Sequence, residues 1–147
     1  MRIAQFFALV LTALALVPVG THLAAMANKI GMNEPSYFIA QSIYNGWAWS
    51  GVILMGSILA NAIAALASRA QFWPFVLAAL ASLLMLGTLA IFFAFTFPAN
   101  QATADWTTVP DDWPFLRRQW EMSHAVNAII TFIAFCCIAI SAVSSQR

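Results

Sequence analysis

Charged side chains are scarce in this chain: of its 147 residues only 7% are charged, whereas 63% are hydrophobic. Soluble domains are typically about 25% charged and about 45–50% apolar. A water-soluble fold of this size would need more polar groups to cover its outside. The composition therefore indicates an integral membrane protein whose first partner is the lipid bilayer.

Runs of like charge and charged residues within the apolar runs are also missing, and cysteines are few. No run of like charges occurs and the net charge is +1, so no nucleic-acid partner is expected. The two cysteines, Cys136 and Cys137, are adjacent in an apolar run, where a mutual disulfide would be strained, so we expect packing residues. The long apolar runs contain no charged residue, which disfavours a proton pump or an ion-coupled transporter.

Four apolar runs are long enough, or nearly so, to cross the bilayer. A helix rises about 1.5 Å per residue, so about 20 residues cross the ~30 Å hydrocarbon layer. Helices satisfy all their backbone amides internally, as lipid requires. The sequence therefore predicts an all-α, integral membrane four-helix bundle, a single transmembrane domain over residues 1–147. The predicted spans are residues 3–22, 47–67, 75–97 and 125–143.

Four crossings place both termini and the short loop around Arg69 on one side of the membrane. Lys and Arg residues number three on each side, so the positive-inside rule does not decide the orientation. The short loop and the acidic character of the long connections favour cytoplasmic termini. Tryptophans should then cluster at the outer interface, with Trp73 alone inside. The five outer tryptophans are Trp47, Trp49, Trp106, Trp113 and Trp120.

The N-terminal run has an alternative interpretation. Arg2, the apolar run, Pro18, Gly20 and then Ala25–Ala27 are also typical of a signal peptide with a cleavage site. Removal of that segment would leave three helices.

Small residues recur at a spacing of four in the second span, at Gly56, Ala60, Ala64 and Ser68. Such a stripe allows helix backbones to approach closely, either within the bundle or across a homo-oligomer interface. Asn61, beside the stripe, is costly in lipid and should point inward. The stripe, the small size and the lack of an extramembrane domain also fit a non-catalytic accessory subunit of a larger membrane complex.

Helix-start signals precede the second and fourth spans. Asn33-Glu34-Pro35 predicts a short helix from about residue 35, because proline is favoured in a first turn. Asp112-Trp113-Pro114 predicts that the last helix begins outside the membrane and enters it near His124.

Polar residues are ordered along the outer end of that last helix. Arg117, Glu121 and His124 follow spacings of four and three on one face, and Trp120 and Asn127 extend an overlapping face. The other histidine, His22, lies twenty residues from Arg2, about 30 Å along its helix. His124 lies nineteen residues from Val143. Both histidines can therefore occupy the same layer.

This coincidence permits several kinds of site. The two imidazoles could ligate one haem iron. Alternatively, Glu121 and His124 could bind iron or copper together with His22 and Glu34, although only half of a di-iron carboxylate pattern is present.

A metal-free acid/base site is a third possibility. His124 would take a proton from an apolar substrate, and Arg117 or Arg118 would steady the anion formed. The structural alternative is that these side chains pair with each other and close the polar end of the bundle.

Two stretches carry a family resemblance. The first is Gly20–Gly31, continued by Tyr37, Phe38, Gln41, Tyr44, Gly46 and Trp47. The second runs from Pro98 to Asn127. The residues of the second stretch are Pro98, Asn100, Trp106, Asp112, Trp113, Leu116, Arg117, Arg118, Gln119, Trp120, His124 and Asn127. Together they resemble bacterial members of the anthrone-oxygenase-like family, a group labelled as a domain of unknown function.

The resemblance implies a four-helix, multi-pass protein of a bacterial inner membrane. In fungal relatives it implies oxidation of an anthrone to an anthraquinone by O₂ without an obvious cofactor. Asn28, Asn100, Arg117, Trp120 and His124 would then line the pocket. The resemblance also disfavours the signal peptide, because cleavage would cut the Gly20–Gly31 motif in two.

Combining both lines, we expect a pocket in the outer leaflet for an apolar aromatic or quinone-like molecule. The candidate catalytic residues are His124, Arg117 and Trp120. The candidate substrate-binding residues are His22, Asn28, Asn100, Glu121 and Asn127.

Overall fold

The computed structural model describes residues 1–145, which are all-α and contain no strand. The helices are α1 (Arg2–Lys29), α2 (Glu34–Gln41), α3 (Ser50–Ala67), α4 (Phe72–Ile91), α5 (Phe97–Ala102) and α6 (Trp113–Ser144). Short 3₁₀ turns (Ser42–Tyr44, Trp47–Trp49) connect α2 to α3, and a π-helical turn (Phe92–Thr96) connects α4 to α5. Four helical segments are long and apolar enough to cross a membrane, as predicted: Arg2–Lys29, Trp47–Ala67, Phe72–Ala102 and Trp113–Ser144.

The four long helices form a closed ring of neighbours in the order α1, α3, α4, α6. Their shared interior is built mainly from small side chains, among them Ala8, Ala64, Ala78 and Ala134. Large apolar side chains point outward instead, including Phe6, Phe7, Leu59, Leu83, Phe132 and Ile140. This arrangement is the reverse of a soluble bundle, and it fits a protein whose outside is solvated by lipid chains.

Two of the long helices extend well beyond the predicted spans. α1 continues seven residues past His22 to Lys29, and α6 begins at Trp113, as its start signal predicted. The short helix expected near residue 35 is α2, whose N-cap Asn33 accepts a hydrogen bond from Ser36 N (3.1 Å). Because α1 packs against both α3 and α6, it is an integral part of the bundle.

Polar contacts fasten the end of the bundle that holds both termini, which we call the terminal end. Gln5 is buried, and its Nε2 donates to the Ser141 backbone oxygen (3.3 Å). The Ser145 hydroxyl donates to Gln5 Oε1 (3.0 Å), and the Ser141 hydroxyl donates to Pro74 O (2.8 Å). These bonds tie α1, α4 and α6 together. The opposite end, which holds His22 and Lys29, is called the distal end below.

The small-residue stripe of α3 is used inside the bundle. Ala64 and Ser68 are buried, and a Cβ placed on Gly56 would meet the Leu11 side chain of α1 at 3.7 Å. Asn61 is also fully buried, as expected, and its Nδ2 donates to Thr12 Oγ1 (2.8 Å). The stripe therefore allows α3 to pack closely against α1.

A left-handed turn follows α5. Ala104, Asp105 and Trp106 have φ values of 46°, 55° and 65°, which cost roughly 1–2 kcal/mol per non-glycine residue. The turn closes with hydrogen bonds from Thr107 N and Thr108 N to Thr103 O (3.0 and 2.9 Å). Its effect is to turn the Trp106 side chain back into the protein, where it is buried.

We expect Ala104→Gly to stabilise the protein. Ala104 is exposed, so the substitution removes the steric cost of a Cβ at positive φ and loses little packing. The net gain should be about 0.5–1 kcal/mol, because glycine also gains freedom in the unfolded state. Ala102→Gly, at an exposed helical position two residues earlier, is the matched control and should destabilise. Thermal unfolding in detergent measures both; equal shifts of the two variants would contradict this account of the turn.

Candidate functional site

The two histidines of the chain are in contact at the distal end. The rings of His22 (α1) and His124 (α6) stack with centroids 4.0 Å apart and planes 24° apart. His22 is buried, whereas His124 is partly exposed. The sequence predicted only that the two histidines lie at the same depth in the membrane, because residue counting gives their heights along α1 and α6. It did not predict that the rings touch. The contact arises because α1 and α6 are neighbours and present these faces to each other.

Aromatic rings surround the histidine pair. Trp120 packs against both imidazoles, at 4.9 Å from His22 and 4.2 Å from His124. Tyr44 lies 4.2 Å from the His22 ring, and Trp47 lies 5.8 Å from it. Tyr44 and Trp47 belong to the two 3₁₀ turns, and Gly46 between them has a φ of 82°, which glycine adopts without strain. The connection between α2 and α3 therefore forms one wall of the site.

A buried ion pair lies beside the aromatic rings. Lys29 Nζ is 2.9 Å from Glu121 Oε1, and both side chains are almost completely buried. The ammonium also lies over the rings of Tyr44 (4.5 Å) and Trp120 (4.8 Å). A buried lysine is tolerated only when paired, so the carboxylate and the ring faces together hold this charge.

Tyr37 and Gln41 extend the ion pair into a hydrogen-bonded chain. Gln41 Nε2 donates to Tyr37 Oη (2.9 Å), and the Tyr37 hydroxyl donates to Glu121 Oε1 (3.0 Å). Burial, and then the neighbouring Glu121 carboxylate, raise the pKa of Tyr37 above its ordinary value. The hydroxyl therefore stays protonated and remains a donor to the carboxylate.

Several buried polar atoms of this cluster have no hydrogen-bond partner within residues 1–145. They are His22 Nδ1, His124 Nδ1, Tyr44 Oη, Gln41 Oε1 and Glu121 Oε2. Folded proteins leave few buried polar atoms unpaired, because each costs about 1–3 kcal/mol. Unpaired atoms from three segments at one end of the bundle indicate a place where an additional polar group can bind.

Asn100 holds two tryptophans rather than facing the histidines. Its Oδ1 accepts hydrogen bonds from Trp120 Nε1 (2.8 Å) and Trp106 Nε1 (3.1 Å). Trp106 and Trp120 are buried, so their indoles are core residues of the distal end, whereas Trp49 and Trp73 are exposed. The sequence predicted Trp106 and Trp120 on the same side of the bundle as Trp47, Trp49 and Trp113, and the structure adds that these two indoles are buried there.

The two arginines of α6 lie apart from the histidines. Arg117 Nη1 donates to Met32 O (2.6 Å), and its guanidinium lies over the rings of Trp113 (4.7 Å) and Tyr37 (5.4 Å). Arg118 is exposed on the other face of α6. The cation packed against the ring that contacts both imidazoles is Lys29, not either arginine.

Two further predicted binding residues, Asn127 and Asn28, differ in burial. Asn127 is buried one turn beyond His124, where Nδ2 donates to Thr88 O (3.2 Å) and Oδ1 has no partner among the described residues. Asn28 is exposed and takes no part in the hydrogen bonds described above. The structure thus brings His22, His124 and Asn127 toward one region, and leaves Asn28 outside it.

The expected metal and haem geometries do not fit these residues. No group of three His, Cys, Asp or Glu side chains within residues 1–145 is placed to hold a metal ion. Glu34 is exposed, and Glu121 is engaged by Lys29. A haem iron held by two imidazoles requires one ring edge-on at each side of the macrocycle. The stacked rings of His22 and His124 leave no space for a macrocycle between them.

The sequence did not single out Lys29 as part of the site, and it gave Tyr37 and Gln41 no role beyond the resemblance. One signal for Lys29 was present: it is the only lysine, and it lies seven residues, or about two turns, after His22 on the same helix. Once α1 is known to extend to residue 29, this spacing places both side chains on one face.

Comparisons with known proteins add no further identification. No family model, no curated protein and no solved structure matches this chain. The fold and the site define a polytopic four-helix membrane protein with a buried polar and aromatic cluster at its distal end.

Proposed function

We propose that the protein is a membrane enzyme that oxidises an apolar hydroxyaromatic molecule of the anthrone type at its distal end. The observation that carries this proposal is the set of unpaired buried polar atoms beside a wall of aromatic rings. Such a site combines apolar surface for a flat ring system with a few polar groups to orient it. The resemblance to anthrone-oxygenase-like proteins supplies the substrate class.

In this proposal His124 acts as the general base. Its unpaired Nδ1 takes a proton from the ring CH₂ of the anthrone, and the resulting negative charge is delocalised onto the carbonyl oxygen. The substrate anion then gives electrons to O₂, a new C–O bond forms at the same carbon, and water is lost. Overall, one anthrone and one O₂ give one anthraquinone and one water.

The neighbouring groups orient the substrate and stabilise its charge. The Tyr44 hydroxyl has no partner among the described residues and can donate to the substrate oxygen. Lys29 supplies positive charge behind Trp120 and Tyr44, and its pairing with Glu121 keeps the site near neutrality. His22, stacked on His124, fixes the orientation of that ring.

Access to the histidines fits entry from the membrane. Tyr44 and Trp47 cover His22 from the short connection between α2 and α3, which consists of two 3₁₀ turns joined by Asn45 and Gly46. A small movement of this connection would open the site toward the lipid. We assign the distal end to the outer leaflet of a bacterial inner membrane, with both termini in the cytoplasm, as part of the same proposal.

We expect His124→Ala to reduce turnover of a hydroxyanthrone by about 10²–10⁴-fold, the usual contribution of a general base. The assay follows O₂ uptake and quinone absorbance in proteoliposomes, after subtraction of the rate in protein-free vesicles. Ile129→Ala, an exposed position on the same helix, is the matched control and should keep the wild-type rate. The proposal fails if wild-type vesicles are no faster than empty ones, or if folded His124→Ala is as active as wild type.

A non-catalytic accessory subunit is the alternative to an enzyme. One of its supports is the small-residue stripe of α3, beside the small size and the lack of an extramembrane domain. At Gly56 this stripe faces the Leu11 side chain of α1, and its members Ala64 and Ser68 are buried. Most of the stripe is therefore used inside the bundle, which favours the enzyme.

A further inference from the structure

A groove runs along the outside of α6, on the face that points away from the histidines. It has a volume of about 440 Å³, within the range of small-molecule sites. Its walls come from α4, the π-helical turn and α6. The lining includes Phe95, Arg118, Gln119, Met122, Ser123 and Val126.

The groove is separate from the proposed enzyme site. Arg118, Met122 and Val126 repeat at a spacing of four, which is one face of a helix with 3.6 residues per turn. Trp120 and His124 lie about half a turn away on the opposite face. A ligand in the groove would therefore contact lipid on one side and α6 on the other.

The groove crosses the boundary between the headgroup layer and the hydrocarbon layer. Counting 1.5 Å per residue from Ser144, His124 lies about 30 Å along α6, at the far boundary of the hydrocarbon layer. Arg118 is six residues beyond His124, about 9 Å higher, which is the level of the lipid headgroups. By the same count Met122 lies about 3 Å above that boundary, at the level of the lipid glycerol, and Val126 lies about 3 Å below it, where the acyl chains begin.

The chemistry of the groove changes along the same direction. Its deep part is apolar, whereas its upper part carries the exposed Arg118. No ion pair of Arg118 is found within residues 1–145, where Lys29–Glu121 is the only salt bridge. An exposed guanidinium without a carboxylate, at headgroup level, complements a phosphate.

The π-helical turn shapes the wall on the α4 side. Phe95 lies in this turn, and Gln119 Nε2 of α6 donates a hydrogen bond to its backbone oxygen (2.8 Å). The Thr96 and Ser123 hydroxyls, 2.8 Å apart, fasten the same turn to α6. These bonds hold the two walls at a fixed separation, so the groove is a built feature of the fold.

We propose that this groove binds one anionic phospholipid, with its phosphate at Arg118, its glycerol beside Met122 and the first part of an acyl chain beside Val126. An anionic headgroup is preferred over a zwitterionic one. A zwitterionic headgroup carries its own cation beside the phosphate, whereas an anionic headgroup has a net negative charge that the Arg118 guanidinium can neutralise. One arginine near the surface contributes about 1 kcal/mol, which corresponds to about fivefold preference.

The test uses the purified full chain in detergent, with phosphatidylglycerol and phosphatidylcholine of identical acyl chains added in equal amounts. Native mass spectrometry counts the lipids retained by each variant. Wild type should retain phosphatidylglycerol about fivefold more than phosphatidylcholine. Arg118→Gln should reduce this ratio to about one, and Arg69→Gln, which changes an exposed arginine at the terminal end, should leave it unchanged.

A second variant separates the acyl-chain contact from charge. Val126→Trp places an indole in the deep part of the groove and should lower retention of both lipids, because Val126 faces outward and the fold does not depend on it. An unchanged headgroup ratio in Arg118→Gln, or equal retention of both lipids by wild type, overturns the proposal. The proposal is also overturned if a second copy of the chain occupies the groove, which would be seen as a dimer that Val126→Trp abolishes. These outcomes are independent of hydroxyanthrone turnover.

Discussion

Replacing Glu121 with alanine is expected to lower the free energy of unfolding by about 3–5 kcal/mol, because it leaves Lys29 as an unpaired charge in a buried site. The Lys29 ammonium is almost completely buried, and beyond the Glu121 carboxylate it has no hydrogen-bond acceptor among the described residues. Tyr37 would also lose the acceptor of its hydroxyl proton. The loss can be measured by denaturant-induced unfolding in micelles, followed by circular dichroism.

The double variant Lys29→Met with Glu121→Leu is the matched control for Glu121→Ala. Removing both charges at once leaves no unpaired ion, and apolar replacements of buried ion pairs are often neutral or stabilising. We expect it to lie about 1–3 kcal/mol below wild type, because the buried Tyr37 hydroxyl still loses its acceptor, and clearly above Glu121→Ala. If the double variant is as unstable as Glu121→Ala, the lost stability does not come from an unpaired Lys29 charge, and the proposed role of the ion pair is wrong.

Trp120→Ala should be comparably damaging, at about 3–5 kcal/mol, because it removes the ring that joins the histidines to the rest of the distal end. Trp120 is buried and contacts His22, His124 and Tyr44. It also carries one of the two hydrogen bonds to Asn100 Oδ1.

Trp120→Phe is the matched variant for this second prediction. It keeps most of the aromatic packing and leaves Asn100 Oδ1 paired with Trp106 Nε1. Its cost should be about 1 kcal/mol, the net value of one hydrogen bond with its acceptor still satisfied. Equal losses for the Phe and Ala variants, measured by the same unfolding assay, would show that the indole N–H rather than ring packing holds the distal end.

The fold was predictable from the sequence because hydrophobic length alone determines membrane spans. The four spans, the start of α6 at Trp113 and the inward position of Asn61 all followed from local signals. The ends of the helices were less predictable. α1 runs on to Lys29 because nothing between His22 and Lys29 breaks a helix, and hydropathy does not report helical structure outside the bilayer.

The site was only partly predictable. Counting residues gave the heights of His22 and His124, but their contact depends on how α1 and α6 rotate about their own axes, which packing determines. Asn100 was predicted as a pocket residue, and the sequence gave no sign that its Oδ1 accepts hydrogen bonds from two indoles. That arrangement depends on the left-handed turn at 104–106, where only Asp105 is of a residue type enriched at positive φ, so the sequence does not predict three such residues in a row.

The contact between the two imidazoles is the most direct test of this account. The chain contains only two histidines, so selective ¹³C and ¹⁵N labelling of histidine gives solid-state NMR spectra of the protein in lipid bilayers with no competing signals. Rings stacked at 4.0 Å predict a strong cross-peak between the His22 and His124 side chains, which His124→Ala abolishes. Two well-resolved imidazole signals without a cross-peak would contradict the arrangement of α1 and α6 and the site built on it.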